Sequence, residues 1–219
     1  MNSNRSNWES HWDEESQKSF WHEPTAEIVR LKESLDRQKI RDVLDLGCGI
    51  GRHAILFAES GFNVTAVDDS QNALDILREK ASEKQAKITC IEGSYTEVIF
   101  TENSFDLIIA NNVLYHGYRE DFEKSVRLVY RYLRPGGFFY FTCPTHRDAK
   151  YGNGEEMGEN TYKSLNSVHP GDIHYFADEG DIAYFLRDFA EYTIDREEHY
   201  WDNNGISQFS SSWHIMANK

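Results

Sequence analysis

The segment Val43-Leu-Asp-Leu-Gly-Cys-Gly-Ile-Gly51 constrains this chain more than any other. A short apolar run leads into glycines at alternate positions, and a helical pattern, Arg52–Ser60, opens directly behind them. Glycine has no Cβ, so Gly47, Gly49 and Gly51 allow a sharp backbone turn and a close approach by a ligand. Such a turn delivers the ligand to a helix N-terminus, where unpaired N–H groups and the positive end of the dipole favour a group such as a carboxylate. In open α/β sheets that position lies at the carboxyl ends of the strands, where strand order reverses.

The spacing then narrows the ligand. A dinucleotide turn reads G-x-G-x-x-G, but counted from Gly47 the sixth residue is Arg52. Asp45 adds a carboxylate at the strand end, which repels a pyrophosphate and welcomes an ammonium or sulfonium group. A nicotinamide-dependent oxidoreductase is therefore the weaker alternative.

Around this turn the chain alternates short apolar runs with helical patterns: Val43–Leu46, Arg52–Ser60, Phe62–Val67, Gln71–Glu83 and Ile88–Ile91. Alternation of this kind predicts βαβ units and a parallel sheet. Phe105–Ala110 is apolar on almost every residue, as a strand buried on both faces should be. A helix over Asp121–Leu133 follows, with Phe122, Val126, Val129 and Leu133 on one face. Arg134-Pro-Gly-Gly137 is expected to turn the chain into a fifth strand, Phe138–Cys143. Upstream, Pro24 suits the first turn of a helix carrying Ile28, Leu31 and Leu35. Downstream, Asp178 suits an N-cap ahead of Ile182, Phe185, Leu186 and Phe189, and Thr193–Trp201 and Ser210–Ala217 predict a closing antiparallel hairpin. The stretch 145–176, with glycines at 152, 154, 158 and 171, reads as a long excursion, expected to be a lid that orders over the substrate.

A chain of 219 residues fits one α/β domain, and 39% hydrophobic and 14% aromatic residues supply its core. No run approaches the roughly 18–20 apolar residues of a membrane span. The first twenty residues hold neither a signal-peptide apolar region nor a basic transit segment, which predicts a cytoplasmic protein without a membrane partner. Cys48, Cys90 and Cys143 lack zinc spacing and read as reduced packing residues. A formal charge of −14 argues against a nucleic-acid substrate.

The Asp45, Gly47, Gly49, Gly51 pattern resembles the D/E-x-G-x-G-x-G motif of the class I S-adenosylmethionine-dependent methyltransferases. Further matches follow in order: an acidic end to the second strand at Asp68, a glycine after the third at Gly93, the Phe105–His116 strand and turn, and Leu133-Arg-Pro-Gly-Gly137. The resemblance covers roughly residues 40–145. It implies a Rossmann-like three-layer sandwich with a mostly parallel seven-stranded sheet, order 3-2-1-4-5-7-6, the last strand antiparallel. Within a single domain, 1–38 is then an N-terminal cap, 40–144 the cofactor-binding core, 145–176 the substrate-side insert and 177–219 a C-terminal helix and hairpin.

The resemblance implies S-adenosylmethionine as cofactor, contacted by Asp45, Gly47, Cys48, Gly49, Gly51, Asp68, Asp69, Gly93, Ser94, Tyr95 and Asn111. Asp68 would hold the ribose hydroxyls. Ser94 departs from the family's Gly-Asp at this place, which leaves adenine recognition by Ser94 and Tyr95 balanced against ordinary loop packing. Tyr115 and His116, after the fourth strand, are the candidates for catalysis, with His116 a proton acceptor where the nucleophile needs one. The acceptor is expected to be a small molecule, because the Asn/Asp-Pro-Pro-Tyr/Phe turn that adenine and glutamine amino-methyltransferases place after the fourth strand is replaced by Asn111-Asn-Val-Leu114.

Other residues carry less. His169 and His174 lack a third metal ligand of clear spacing, so no metal is expected. Glu155, Glu156 and Glu159 read as a solvated face, the N-terminal tryptophans as packing or capping groups, and Arg134 as a turn support. The expected assembly is a monomer or homodimer. A non-catalytic methyltransferase-like binding module is the second alternative.

Overall fold

The computed structural model describes residues 8, 9, 12, 21–35, 39–163, 171–203 and 206–219. A seven-stranded sheet has the order β3-β2-β1-β4-β5-β10-β9, and a separate three-stranded sheet has the order β6-β7-β8. With the small sheet's strands left out of the count, this is the expected 3-2-1-4-5-7-6. The chain divides into two compact units, Met1–Ala110 with Tyr132–Gly137, and Asn111–Arg131 with Phe138–Lys219.

The first unit holds α1 (Ala26–Ser34), β1 (Asp42–Leu46), α2 (Arg52–Glu59), β2 (Asn63–Asp68), α3 (Gln71–Glu83), β3 (Ile88–Glu92) and β4 (Phe105–Ala110). β1 pairs in parallel with β2 and with β4, and β2 pairs in parallel with β3. Val43, Leu44, Leu107, Ile108 and Ile109 are wholly buried, so the central strands carry continuous apolar runs as strands covered on both faces must. Phe57, Leu74 and Leu77 project from α2 and α3 into the same core, each contributing about 1.5–3 kcal/mol by burial. Ser70 caps α3 by accepting from the Ala73 N–H.

The second unit holds α4 (Arg119–Tyr132, up to Arg131), most of β5 (Leu133–Pro144), β6 (Glu155–Gly158), β7 (Thr161–Lys163), β8 (Ile173–Tyr175), α5 (Glu179–Phe185), β9 (Glu191–Asn203) and β10 (Ile206–Asn218). β10 is antiparallel to both β5 and β9. Phe122, Phe139, Phe141, Tyr175 and Phe185 form its aromatic core; Phe139 and Phe141 stack at 4.6 Å between centroids. Asp178 and Asp181 form a capping box at the start of α5. The edge strand β9 is rich in Asp and Glu, which discourages pairing with further strands.

Two expectations change. Arg134-Pro-Gly-Gly137 is not a free-standing turn: β5 runs from Leu133, and Gly136 takes up the change of direction with φ of +78°. The 145–176 excursion is not structureless, since its described residues include the β6-β7-β8 sheet with Thr161, Asp172, His174, Tyr175 and Phe176 buried. His169, weighed as a metal ligand, lies outside the described residues.

Candidate active site

In the first unit the glycine turn is braced from β2. The Gly47 and Cys48 amides donate to the Val67 carbonyl at 2.8 and 2.9 Å, and the Gly49 amide donates to Asp68 Oδ2 at 2.7 Å. Asp68 Oδ1 accepts from the Ser70 amide at 3.0 Å, and the Asp68 carbonyl accepts from Gly93 N–H at 2.9 Å. Asp68 is thus an organiser of the turn, a role that sequence reasoning did not assign to it. Burial pushes its pKa up to about 6, against the Ser70 and Gly49 N–H groups that hold it down.

Of the turn's three positive-φ glycines, Gly51 and Gly49 have separate reasons. Gly51, with φ of +83°, is the N-cap of α2, and a Cβ there would collide with the Leu77 side chain. Gly49, with φ of +52°, faces the Trp12 ring, two of whose carbons lie 2.6 and 2.9 Å from a built Cβ. Trp12 packs with Ile50 and Ala73, and Trp21 meets it edge-on at 5.2 Å.

Asp45 sits beneath this turn, 2% exposed. Burial raises its pKa to about 7, opposed by the Ala54 backbone N–H and by the Arg52 charge, while Asp68 adds to the rise. Among the described residues its Oδ2 has no hydrogen-bond partner. A buried carboxylate oxygen of this kind asks for a donor or a cation, and a phosphate would be repelled from it. Cys48 is buried, its thiol pushed well above the usual range by burial, so it is a packing group and not a nucleophile.

Ser94 closes its own turn: its hydroxyl lies 3.0 Å from Thr96 Oγ1 and accepts from the Thr96 amide, and its carbonyl accepts from the Glu97 and Val98 amides. Tyr95 and Asp69 are half-buried beside these elements. Glu9 carries no sequence signal beyond an acidic residue among tryptophans. Its carboxylate accepts from the Gln71 and Asn72 amides and from the Ser70 hydroxyl, which places it at the α3 N-terminus.

In the second unit the turn following β4 in the chain carries Asn111, Tyr115 and His116. Asn111 is half-buried, while the neighbouring Asn112, with φ of +59°, exchanges two hydrogen bonds with Thr142 Oγ1. Tyr115 and His116 come together at 4.3 Å between ring centroids, and His174 joins both, 5.5 Å from Tyr115 and 4.8 Å from His116. Burial, then Cys143, Asp148 and Asp172, push the Tyr115 hydroxyl above its ordinary range, so it is a neutral donor and not a base. Asp148, which the sequence did not single out, accepts from the Ser211 and Lys150 amides.

A mostly parallel sheet with its first strand feeding a braced glycine turn defines an α/β cofactor-binding enzyme fold of the Rossmann-like class. Residues 43–137 match the methyltransferase domain family. The chain is 34% identical over 105 residues to the cypemycin N-terminal methyltransferase of a Streptomyces species, covering 47% of this chain and 42% of that one. It is 33% identical over 123 residues to a demethylmenaquinone methyltransferase of Listeria monocytogenes, covering 53% and 48%. It thus spans less than half the length of these curated relatives. Among solved structures, a SAM-dependent methyltransferase from Methanosarcina mazei superposes with a TM-score of 0.71 at 17% identity, over 90% of this chain and 98% of that one. The 1,6-didemethyltoxoflavin-N1-methyltransferase of Burkholderia thailandensis, solved with 1,6-didemethyltoxoflavin and S-adenosylhomocysteine, does so with 0.66 at 20% identity, over 99% and 87%. Residues 43–137 thus carry the methyltransferase-domain match, and the fold of the chain is that of these SAM-dependent methyltransferase structures.

Proposed function

We propose that this protein transfers a methyl group from S-adenosylmethionine to a small-molecule acceptor. The observation that carries the reading is the braced glycine turn above Asp45, whose buried Oδ2 suits a ligand bearing a cationic group. When bound, S-adenosylmethionine supplies an electrophilic methyl carbon on its sulfonium. The residues present fit it: Asp45 answers the positive charge of an ammonium group, the Gly47–Gly51 backbone accommodates close approach, and Asp68 offers its carboxylate to the ribose hydroxyls while holding the turn. Tyr115 and His116 are the acceptor-side groups, His116 taking a proton from acceptors that must lose one and Tyr115 donating a hydrogen bond. The relatives' names, a cypemycin N-terminal methyltransferase and a demethylmenaquinone methyltransferase, support an acceptor other than nucleic acid.

Titration calorimetry with S-adenosylmethionine and with NADH tests the cofactor, and S-adenosylhomocysteine release across thiols, amines, phenols and carboxylic acids tests the transfer. Wild type is expected to bind S-adenosylmethionine and Asp68→Ala to bind it roughly 10- to 150-fold more weakly, as for a lost charge-assisted acceptor of about 1.5–3 kcal/mol. Asp68→Ala should also melt at a lower temperature without ligand, because the Gly49 and Ser70 amides lose their acceptor. Binding of NADH and not of S-adenosylmethionine overturns the reading in favour of an oxidoreductase. Tight cofactor binding without turnover on any acceptor class points to a binding module.

A further inference from the structure

We propose that His116, Asp172 and His174 form a binding site for one divalent transition-metal ion. One donor atom from each residue lies within 4.8 Å of the others. Asp172 and His174 are 4% and 5% exposed, and His116 is half-buried. The two imidazole rings meet edge-on, 77° apart, an arrangement in which both can turn a ring nitrogen toward a common point.

The scaffold holds this grouping from two directions. His174 is the central residue of β8 and Asp172 immediately precedes the strand, two residues away in the chain. β8 is fixed by its pairing with β7, where His174 stands opposite Tyr162, and by the Phe176 and Ala177 amides, which donate to the Asn160 and Pro144 carbonyls. His116 arrives from a turn 56 residues earlier in the chain, and that turn is tied to β8 by the Tyr175 amide donating to the Tyr115 carbonyl at 2.9 Å. Pinned donors of this kind are what a metal site needs in advance of its ion.

The donor set selects the ion. Two imidazole nitrogens and one carboxylate suit zinc, iron(II), manganese or cobalt, whereas magnesium and calcium take oxygen donors. Tetrahedral zinc with bonds of about 2.1 Å sets donors about 3.4 Å apart, so closure by up to about 1.4 Å, within the reach of side-chain rotation, completes the shell. Three protein ligands leave at least one position open. A second grouping, His146 with Asp178 and Asp181, lacks this freedom, because Asp178 and Asp181 oxygens are committed to the α5 capping box and to Arg119. The proposal concerns the ion alone and stands whether or not the chain transfers methyl groups; with the ion bound His116 is a ligand, and its proton-accepting role belongs to the ion-free chain.

The test uses the full chain without a histidine tag, stripped with EDTA and dialysed. Zinc and cobalt(II) are titrated by calorimetry, with the visible absorption of bound cobalt as a second readout. Wild type is expected to take up one equivalent of each and to melt at a higher temperature once loaded. Asp172→Asn, nearly isosteric, and His174→Ala should each weaken binding by at least about 100-fold and remove the cobalt spectrum. Circular dichroism and apo melting confirm that the variants are folded; should His174→Ala fail to fold, Asp172→Asn and His116→Ala carry the comparison. Folded wild type that binds neither ion, or binding that persists unchanged in the folded variants, overturns the site.

Discussion

Under the proposed function, Asp45 is one residue beneath the turn that couples ligand and proton. Its carboxyl holds a proton up to about pH 7 in the folded chain, mainly because burial penalises the charged form, whereas unfolded it ionises near 3.8. The stability that this retained proton represents is whole below about pH 4 and is lost as pH rises through about 7. Asp68 acts in the same sense with a folded value of about 6. His53 acts in the opposite sense: buried and held neutral by burial and by Arg52, its pKa falls to about 3, so its contribution is whole above about 6.5 and is lost as pH falls toward 3. A wild-type pH–stability curve mixes these, but the difference between wild type and Asp45→Asn isolates one of them. Without ligand, Asp45→Asn should gain on wild type steadily in melting temperature from pH 5 to about pH 7 and level off above it. A cationic ligand group at Asp45 expels the proton, so S-adenosylmethionine affinity should rise with pH by up to about tenfold per unit below pH 7. Asp45→Asn should flatten that rise. Calorimetry in buffers of different ionisation enthalpy reads the released proton directly, and a pH-independent affinity removes Asp45 from the ligand's charge.

At the scale of elements, what was legible in the sequence was what local periodicity encodes. Phe105–Ala110 and Gln71–Glu83 stand where their apolar patterns place them, and Asp178 caps the helix that follows it. The glycine turn was legible because φ values of +52° and +83° demand residues without a Cβ. The β6-β7-β8 sheet was not, because strands of three and four residues are too short for a period of two to show. Nor was the meeting of His116 with Asp172 and His174, which rests on long-range backbone bonds and leaves no trace in spacing. For the same reason the bracing role of Asp68 and the position of Glu9 emerge only when β2, α3 and the turn are seen together. The small sheet changes the expectation for the insert. Thr145, Tyr175, Phe176 and Ala177 each donate an amide to a distant carbonyl, so in hydrogen-exchange mass spectrometry without ligand, peptides over 173–177 should exchange on the slow timescale of β1. Peptides over 152–154, largely exposed, should exchange quickly. Uniformly fast exchange from 145 to 163 and from 171 to 176 would favour a lid over a fixed insert.

At the scale of the whole molecule, 23 basic residues against 37 acidic ones leave a formal charge of −14. Several of the arginines are already committed to carboxylates: Arg134 to Asp42 and Asp106, Arg119 to Asp181, and Arg147 and Arg196 to Glu198. These exposed or half-exposed pairs add little stability, about 0–1 kcal/mol each, but they withdraw positive charge from any ligand outside. A polyanion would then meet repulsion over the surface, and binding by release of counterions needs Lys and Arg that can neutralise phosphates. In about 50 mM salt, where such binding is strongest, neither transfer RNA nor duplex DNA should be retarded by micromolar protein. The same field attracts cations. Once an acceptor is in hand, kcat/KM for a cationic acceptor should fall as ionic strength rises from about 20 to about 500 mM, while that of a neutral analogue stays level, because screening shortens the reach of the field from about 20 Å to less than 5 Å. Retardation of RNA or DNA with affinity that falls steeply on a log–log plot against salt would reveal a phosphate-binding patch, and the small-molecule reading of the acceptor would give way to a nucleic-acid one.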